Sequence, residues 1–409
     1  MLRIGVECES IEGKNSDLPA NRQVFGVGKM IIKLLEEISR RPELEKDYHF
    51  VLYFKNNIPD LPFLKAPVFE TKRVSVPFFK NRLFPIYYFA LLPMRLWFDR
   101  PDVMFWPNYM LPIIAFGKSM VMLTEDVYYE ARAGELPFRY RLAYKIFCWW
   151  TAKFATKIMA ISETSKGNLV KLYGIEPNRI VVNHLGVDIE NHKSQITPAP
   201  ERSTVRGTTN HKQNPNFLIP NPYLLFVGQM FPRRHAKETV LAFEQLVSNH
   251  SQILENLGIN NLRLILVGPD KYPEPTIDLF VEQINKRLGR ETVIHKNYVE
   301  DSELVELYAG AKALVYVSDR EAFGLPPMES LSFGVPPIVM DNELGHELFN
   351  EYAIYSKSGG AGDIADAIKQ VLNEVGSSTV LRTSRLEFVK KYNWKSFANR
   401  WLQILQSIK

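Results

Sequence analysis

The sequence predicts an α/β protein with two doubly wound, Rossmann-like domains. Short runs rich in β-branched and aromatic residues alternate with longer amphipathic stretches along the 409 residues, which is typical of parallel sheets covered by helices. The chain is also longer than one hydrophobic core usually organises. A polar stretch in the middle separates two series of strands, so we expect two sheets with separate cores.

In the first domain, placed at residues 1–189, six runs are predicted to be strands. They are Leu2–Val6, Tyr48–Tyr53, Val103–Trp106, Ser119–Leu123, Lys157–Ile161 and Ile180–Asn183. Ser162 precedes a helical pattern that runs towards Tyr173. Serine is a favoured N-cap because its hydroxyl oxygen accepts a hydrogen bond from the first helical turn.

Residues 190–222 are predicted to be a polar linker or mobile loop, and the second domain follows at 223–390. The linker is rich in Asn, Thr, Pro, Lys and Arg, and Phe217 is its only aromatic residue, so it cannot bury much apolar surface. The strands predicted for the second domain are Tyr223–Val227, Leu262–Val267, Ala313–Ser318 and Pro337–Met340. The segment from Trp394 to Lys409 has the pattern of one amphipathic helix.

The composition of the sequence indicates in which cellular compartment the protein is expected. Cys8 and Cys148 are the only cysteines, too few and too far apart for a disulfide framework or a cysteine-based zinc site, which favours a reducing compartment. Met1–Ser10 has the pattern of a strand and not of a secretory signal, and no apolar run approaches the roughly 18 to 20 residues of a membrane span. We therefore expect a cytoplasmic protein, with a peripheral position on the inner face of the membrane as the alternative.

The net charge of +5 is too small to indicate nucleic-acid binding, but its distribution is informative. Six basic residues and one acidic residue lie between Lys72 and Arg100, interleaved with eight aromatic residues. Two interpretations remain open. The segment contacts an anionic membrane that carries a lipid-linked acceptor, or it is a helix packed on the first sheet with solvated basic residues at its edge.

The most informative segment is the turn that follows the predicted strand Ala313–Ser318. A helix is predicted to begin next, near a proline of the kind favoured in a first turn. Gly324 has no side chain, so a phosphate could closely approach the N–H groups of Gly324 and Leu325 at the helix start. Glu321 and Glu329 flank this anion site, and carboxylates suit hydrogen bonding to the vicinal hydroxyls of a sugar or ribose. The alternative is an ordinary helix start with two solvated glutamates.

This segment resembles the E-x7-E signature of glycosyltransferase family 4, a set of retaining enzymes with the GT-B fold. In that fold two Rossmann-like domains face each other across a cleft. The match continues through Leu331–Pro337, and the resemblance is strong in the second half and looser in the first. It implies that Glu321 contacts hydroxyls of the transferred sugar and that Glu329 holds the donor ribose. It also implies that a helix at 391–409 crosses back to the first domain.

A second family-like segment, Leu225–His235, contains the predicted phosphate ligands. A strand ends at Gly228 and the chain then turns into a helix. The family carries an Arg directly after this glycine and a Lys about five residues further on, and both neutralise the donor diphosphate. Here Gln229 takes the first place and Arg234 the second. Arg can grip phosphate oxygens with two donors, and Arg233 either adds a second charge or is a solvated neighbour.

Two first-domain segments resemble family elements that approach the same substrates. Gly26 and Gly28 open a helix, and the resemblance implies that Gly28 lies at the donor and Gly26 on the acceptor side. The family's His-Asp after the strand Ser119–Leu123 is replaced by Glu125 and Asp126. Glu125 is predicted to face the sugar near its anomeric carbon and Asp126 to lie on the acceptor side, with a salt-bridged rim as the competing interpretation. A third glycine and a P-loop are both missing, which argues against a nicotinamide enzyme or a kinase.

The resemblance therefore implies a donor site of ten residues, among them Val299, where the backbone of family members meets the nucleobase. The predicted donor-binding residues are Gly28, Gly228, Arg233, Arg234, Val299, Glu321, Phe323, Gly324, Leu325 and Glu329. The predicted catalytic residues are Glu321, Arg234 and Glu125. No metal site is predicted, and no cofactor is expected besides the donor substrate, a GDP- or UDP-sugar.

The activity implied is a retaining, metal-independent hexosyltransferase of surface polysaccharide synthesis. Mannose is the first candidate sugar, and the acceptor is a glycan or a lipid-linked glycan. One alternative is another GT-B enzyme, such as a nucleotide-sugar epimerase, which would turn the donor over without an acceptor. The other is a non-catalytic subunit that binds a sugar nucleotide without transferring the sugar.

Overall fold

The computed structural model describes residues 1–12, 26–74, 86–114, 117–130, 138–188, 222–249, 251–274, 276–375 and 379–408. These residues form two compact units. The first unit comprises Met1–Gly186 and Trp394–Lys409, and the second comprises Val187–Asn393. The predicted linker lies outside the described residues, except for Pro222.

The first unit contains seven parallel strands and six α-helices in its described part. The strands are β1 (Leu2–Glu7), β2 (Tyr48–Phe54), β3 (Phe69–Arg73), β4 (Val103–Trp106), β5 (Lys118–Met122), β6 (Lys157–Ala160) and β7 (Ile180–Val182). The helices are α1 (Val27–Ser39), α2 (Leu92–Asp99), α3 (Asp126–Glu130), α4 (Phe138–Phe154), α5 (Glu163–Tyr173) and, at the other end of the chain, α14 (Trp394–Ile408). The sheet order is β3-β2-β1-β4-β5-β6-β7, a doubly wound arrangement.

The second unit contains six parallel strands and eight helices in its described part. The strands are β8 (Tyr223–Val227), β9 (Arg263–Val267), β10 (Val293–Lys296), β11 (Ala313–Tyr316), β12 (Pro337–Met340) and β13 (Ile354–Ser356). The helices are α6 (Ala236–Asn249), α7 (Ser251–Asn256), α8 (Ile277–Leu288), α9 (Asp301–Gly310), α10 (Leu325–Ser332), α11 (Glu343–Phe349), α12 (Ala361–Val375) and α13 (Thr379–Val389). The sheet order is β10-β9-β8-β11-β12-β13.

All ten predicted strands are present, with ends that differ from the prediction by at most two residues. The prediction missed β3, β10 and β13, and each of these is the outermost strand at one edge of its sheet. An edge strand is half exposed, so it lacks the continuous apolar run of a strand buried on both faces. β3 illustrates this with the sequence FETKR, in which only Phe69 is buried.

Alternating side chains give the first sheet two apolar faces. On one face, a core cluster joins strand residues such as Trp106 to Leu96 of α2, Cys148 of α4 and Leu169 of α5. The predicted cap of α5 is confirmed, because the Ser162 hydroxyl accepts a hydrogen bond from the Ser165 N–H at 3.0 Å. Three helices therefore cover the same side of this sheet.

The other face of the first sheet is covered by α1 and α14. Trp401 of α14 is fully buried, with its ring centroid 6.0 Å from that of Phe50 and 5.3 Å from that of Phe105. Asn183 donates a hydrogen bond to the carbonyl of Phe397 at 3.1 Å. The last helix of the chain is thus part of the core of the first unit.

The basic, aromatic segment Lys72–Arg100 contributes an inner face to the same core. Tyr87 and Leu92 are buried there, and the Lys72 ammonium lies 2.8 Å from the carboxylate of Asp99. Residues 75–85 lie outside the described residues. None of the helices in the described ranges combines the length and apolarity that crossing a bilayer requires.

We expect Trp401→Ala to lower the free energy of unfolding by about 3–5 kcal/mol, because it removes a fully enclosed aromatic ring and leaves a cavity. Chemical denaturation followed by near-ultraviolet circular dichroism measures the change. Gln403→Ala, an exposed position on the same helix, is the matched control and should change the free energy of unfolding by less than about 0.5 kcal/mol. Equal effects of the two substitutions would contradict the position of α14 in the core.

Candidate functional site

The candidate site lies at the carboxyl edge of the second sheet, where the neighbouring strands β8 and β11 end. The two strands pair in parallel, so the segments that follow them meet at the same edge. β8 is followed by Gly228 and a 3-10 turn, Pro232–Arg234. β11 is followed by the loop that contains Glu321. Parallel pairing therefore brings together side chains that are far apart in the sequence.

Arg233 and Arg234 both pair with Glu321. The Oε1 atom of Glu321 accepts hydrogen bonds from Nη1 of Arg233 and from Nε of Arg234, each at 2.7 Å. Its Oε2 atom accepts a longer one, 3.3 Å, from Nη2 of Arg234. The structure thus brings three of the predicted site residues into one ion-pair cluster.

Two residues of β11 and the loop after it complete this cluster. The Tyr316 hydroxyl donates to Oε1 of Glu321 at 3.1 Å, and the Ser318 hydroxyl donates to the same atom at 3.2 Å. The prediction from sequence missed both residues. The sequence around Tyr316 indicates only a buried strand. Its contact with Glu321 arises because the loop after β11 turns back towards the strand.

The guanidinium groups set the ionisation of Glu321. The side chain is only 15% exposed, and burial by itself would raise the pKa of the carboxyl group. The charges of Arg234 and Arg233 and their hydrogen bonds outweigh burial and hold the pKa below its ordinary value. Glu321 is therefore an anion at neutral pH, and the cluster carries one net positive charge.

The backbone at the end of β8 can pass close to its neighbours because Gly228 and Gly268 have no side chains. Gly228 has φ = 139° and Gly268 has φ = 133°. A Cβ atom on Gly268 would lie 2.1 Å from the Gly228 carbonyl oxygen, and one on Gly228 would lie 3.1 Å from the guanidinium of Arg234. The two glycines therefore set the place where Arg234 can approach the sheet edge.

Helix α10 begins at Leu325 with Gly324 as its N-cap in a left-handed conformation, φ = 87°. Pro326 and Pro327 follow and have no N–H groups, so the first turn exposes fewer unpaired donors than usual. Within the described part of the chain, no acceptor takes the N–H of Gly324 or of Leu325. The predicted pair of free donors at this helix start is thus present.

Glu329 lies on the second turn of α10. Its Oε2 atom accepts a hydrogen bond from the Tyr308 hydroxyl at 2.9 Å, and burial together with the Glu329 charge raises the pKa of Tyr308 well above its ordinary value. Tyr308 therefore stays a donor at all physiological pH values and orients the carboxylate. The role of Glu329 at a ribose stays a prediction.

A small cavity of about 30 Å³ adjoins the ion-pair cluster. Glu321, Phe323 and Gly324 line it among the predicted residues. The end of β12 and the start of α11 supply further lining residues that the prediction missed, including Asn342 and Gly345. Asn342 caps α11 by accepting from the Gly345 N–H at 2.8 Å. An Asn ahead of a helical pattern is a recognisable cap, but nothing in the sequence indicates that it adjoins Glu321.

Two predicted donor residues are buried in the second unit. The side chain of Val299 belongs to a core cluster with Val267 and Tyr308, so only its backbone is placed to meet a ligand. Phe323 is 3% exposed and packs edge-on against Tyr392 at 6.1 Å. Both assignments to donor binding stay predictions.

In the first unit, Glu125 is buried and bonded to helix α5. One oxygen of its carboxylate accepts from the Ser165 hydroxyl, and the other accepts from the Asn168 amide at 3.0 Å. The Glu125 carbonyl oxygen also accepts from the backbone of α3. Both donors are uncharged side chains of α5, and these contacts attach α5 to the carboxyl end of β5. The salt-bridged rim of the competing interpretation stays open. A catalytic role for Glu125 stays a prediction.

The other first-unit residues lie at helix starts. Gly26 is the exposed N-cap of α1 with φ = 50°, and Gly28 is buried in the first turn of that helix. Asp126 is the first residue of α3. The predicted helix opening is confirmed, and the assignment of these residues to donor and acceptor stays a prediction.

His235 follows Arg234 directly and links the turn to two carboxylates. Its ring nitrogens lie 3.8 Å from Glu238 and 2.7 Å from Asp319. Both carboxylates favour the protonated ring and raise the pKa of His235 above its ordinary value of about 6.5. His235 therefore links the loop after β11 to the start of α6, and the link is strongest when the ring is protonated.

Comparison with protein families identifies each half of the chain. Residues 30–191 match the family model "Glycosyltransferase Family 4", and residues 208–384 match the model "Glycosyl transferases group 1". The two matches lie largely on the first and second units respectively.

Two curated relatives are mannosyltransferases by name. A serotype-specific mannosyltransferase, WbdA of Escherichia coli, is 29% identical over 57% of this chain and 26% of its own length. The O-antigen chain mannosyltransferase RfbU of Salmonella typhimurium is 25% identical over 65% of this chain and 66% of its own length. The chain thus spans about a quarter of the first relative and about two thirds of the second.

Solved structures confirm the GT-B fold. Sucrose-phosphate synthase from Thermosynechococcus elongatus superposes with a TM-score of 0.71 at 16% identity, covering 100% of this chain and 99% of that one. WaaG, a glycosyltransferase involved in lipopolysaccharide biosynthesis, superposes with a TM-score of 0.62 at 20% identity, covering 98% and 99%. The Anabaena protein HepE, in a complex with UDP-glucose, gives a TM-score of 0.63 at 13% identity and covers both chains fully.

We expect the stabilising effect of His235 to depend on pH. Its pKa is raised by folding, so its contribution is fully present below the unfolded pKa of about 6.5 and is lost as the pH rises through the folded value. His235→Asn, which tolerates the left-handed backbone, should therefore lower the free energy of unfolding more at pH 5.5 than at pH 8.5. Urea denaturation at the two pH values measures the difference.

The matched control is Asp319→Asn, which keeps the imidazole and removes the nearer carboxylate. It should reduce the pH dependence without abolishing it, because Glu238 remains. A His235→Asn effect that grows with pH would have the wrong sign and would contradict the assignment.

Proposed function

Because the chain carries the domains of both glycosyltransferase family models, we propose that it transfers a hexose from a nucleotide-diphosphate sugar to a glycan or lipid-linked glycan. Mannose is the first candidate for the sugar, and the reaction retains the anomeric configuration without a metal. The observation that carries the proposal is the cluster of Arg233, Arg234 and Glu321 beside the helix start at Gly324.

The arginines and the helix start have the charge and the donors that a departing diphosphate needs. As the bond between the sugar and the diphosphate breaks, negative charge develops on the diphosphate. Preorganised hydrogen-bond donors of the protein stabilise this charge more strongly than they stabilise the bound nucleotide sugar. Arg234 and Arg233 supply positive charge, and the N–H groups of Gly324 and Leu325 supply neutral donors at the positive end of a helix. The acceptor hydroxyl attacks from the same face, and a phosphate oxygen takes its proton.

Glu321 combines two tasks in this proposal. It holds both guanidiniums in fixed positions, since Oε1 takes the shorter hydrogen bonds from Arg233, Arg234, Tyr316 and Ser318. From the described residues, Oε2 takes only the 3.3 Å bond from Arg234. Each carboxylate oxygen has about two acceptor sites. Oε2 therefore has capacity left for a hydroxyl of the transferred sugar.

The relatives and the structural neighbours point to different sugar donors. The relatives named above are mannosyltransferases, which favours GDP-mannose, while one structural neighbour was solved with UDP-glucose. A thermal-shift screen against GDP, UDP, dTDP and their sugars distinguishes them, because a ligand that binds the folded chain raises its melting temperature. A raised melting temperature with GDP and not with UDP would support mannose.

Two competing functions can be tested with the same purified protein. Conversion of the donor into an isomer without any acceptor would favour a nucleotide-sugar epimerase. Tight nucleotide binding with no transfer to any acceptor would favour a non-catalytic subunit. The charged set of Glu321, Glu329 and Arg234 favours catalysis, because in this proposal it supplies groups for both the transferred sugar and the leaving group.

We also propose that the protein works at the cytoplasmic face of the membrane. A lipid-linked acceptor is confined to the bilayer, so an enzyme that uses it gains from a peripheral position. The sequence left two interpretations of the segment Lys72–Arg100 open, a membrane contact and a helix packed on the first sheet. In the structure its Lys72 and Arg95 pair with Asp99, and in the described part of the segment α2 has outward apolar side chains that are available for such a contact.

We expect Glu321→Ala and Arg234→Ala each to lower kcat/KM for transfer at least ~10²-fold, because each removes a group that acts on the transition state. The matched control is Arg287→Ala. Arg287 forms a similar two-bond pair with Glu244 on the surface of the same unit, at 2.6 and 2.7 Å. It should leave kcat/KM unchanged. Wild-type rates in both site variants would refute the assignment.

We expect transfer to continue at its full rate after exhaustive chelation, because the arginines and the helix start supply the charge that a metal would otherwise supply. The measurement is the initial rate in EDTA-treated enzyme and buffer. A rate that falls more than ~10-fold and returns on addition of magnesium would contradict the metal-free part of the proposal.

A further inference from the structure

Helix α4 of the first unit has an apolar face turned towards the solvent. Phe138, Leu142, Ile146 and Trp149 recur every third or fourth residue, so they lie on one side of the helix. They are 71%, 46%, 49% and 54% exposed. The outward face of a helix on a globular protein is normally charged or polar. Four adjacent large apolar side chains on such a face indicate a contact surface.

The opposite face of the same helix belongs to the core. Cys148, Thr151 and Ala152 are buried, and Thr151 accepts from the N–H of Leu111 at 3.1 Å. Helix α4 therefore has apolar side chains on two opposite faces, besides its basic residues. Apolar helix faces are normally covered by protein or by lipid, and among the described residues only the inner face is covered.

Helix α2 extends the exposed surface. It packs on the same side of the first sheet as α4, within the same core cluster. The stacking of Phe89, just before α2, on Phe147 of α4 at 5.5 Å joins the two segments. Met94, Trp97 and Phe98 are 55%, 52% and 68% exposed. We call these three residues, together with the four on α4, the apolar patch.

The charges on helix α4 itself have one sign. The sequence of α4 contains four basic residues and no acidic one. Lys145 and Lys153 are exposed, and the Lys153 ammonium lies 5.0 Å from the ring centroid of Trp149. The only acidic residue of α2, Asp99, pairs with Lys72 and Arg95. A partner of this surface should therefore combine apolar groups with negative charge.

A cavity of about 170 Å³ opens beside the patch. Tyr144, Lys145 and Trp149 line it from α4. Val127, Tyr128, Leu172 and Tyr173 complete its wall. An aromatic slot with one ammonium group at its rim suits an apolar chain that ends in a phosphate. Trp and Tyr also favour the boundary between hydrocarbon and head groups, where one side of the ring is apolar and the other is wet.

We propose that the apolar patch docks on the surface of an anionic phospholipid bilayer, with Lys145 and Lys153 at the level of the lipid phosphates. Helix α4 lies in the plane of the interface, as amphipathic helices with Trp, Phe, Leu and Lys do. This inference rests on the proposed function, because a membrane contact serves an enzyme whose acceptor is lipid-linked, and it names the surface that makes the contact. It moves the main contact from the basic segment Lys72–Arg100 to helix α4.

The test is co-sedimentation of the full chain with vesicles. We expect binding to vesicles of phosphatidylcholine with one third phosphatidylglycerol, and at least ~10-fold weaker binding to pure phosphatidylcholine. Ile146→Ser with Trp149→Ser should lower the partition coefficient on the anionic vesicles at least ~10-fold, because apolar area no longer enters the interface. Lys145→Glu with Lys153→Glu should lower it at least as much, and should lower the response to added salt.

The matched control is on helix α8, where Leu279 is 61% exposed and Lys286 is exposed. Leu279→Ser with Lys286→Glu should leave vesicle binding unchanged. The melting temperature of each variant, with and without nucleotide, shows whether it folds and still binds a donor. This readout separates failure of the membrane proposal from failure of the proposed transferase, since neither set of residues belongs to the donor site.

Three outcomes would overturn the proposal. The first is no binding to anionic vesicles by the full chain. The second is equal binding by the patch variants and the wild type. The third is a dimer in analytical ultracentrifugation that Ile146→Ser with Trp149→Ser abolishes, because the patch would then be covered by a second copy of the chain.

Discussion

The candidate site depends on one interaction, the pairing of the Glu321 carboxylate with two adjacent guanidiniums. An isolated carboxylate in this largely enclosed place would be costly, and so would two unpaired arginines. Together they leave one net positive charge in a position that the sheet edge holds fixed. A positive site with fixed geometry suits an anionic leaving group, because the protein need not reorganise as charge develops. Three neighbouring features of the second unit hold Glu321 and the two arginines in this position.

The parallel pairing of β8 with β11 is the first of these features. It places the turn after β8 against the loop after β11, so residues from two chain segments meet at the carboxyl edge of the sheet. The glycines at 228 and 268 are the second feature, since their lack of side chains lets two turns approach within a distance that no other residue allows. His235 adds a third, because its pairing with Asp319 holds the same loop from the other side.

The first unit shows how a buried polar group can have a structural role at a position where the sequence suggests chemistry. Glu125 lies at the end of β5, as predicted, and its two carboxylate oxygens accept hydrogen bonds from Ser165 and Asn168 of α5. A family pattern predicts the position of such a residue but not the direction of its side chain. Helix α4 shows the converse, because within the part of the chain that the structure describes one of its apolar faces has no protein over it.

The sequence by itself determined the class of fold, ten of the thirteen described strands, the capped helix after Ser162 and the residues of the E-x7-E segment. These features depend on local periodicity, on cap and turn residues and on a family signature, all of which are readable along the chain. The strands β3, β10 and β13 were not readable, because an edge strand is short and half exposed. Only the tertiary structure decided that Tyr316 and Ser318 bond to Glu321, that both arginines share one carboxylate, and that α4 exposes an apolar face. Those facts depend on which segments meet at a sheet edge and on what covers a helix, and such long-range contacts leave no local pattern in the sequence.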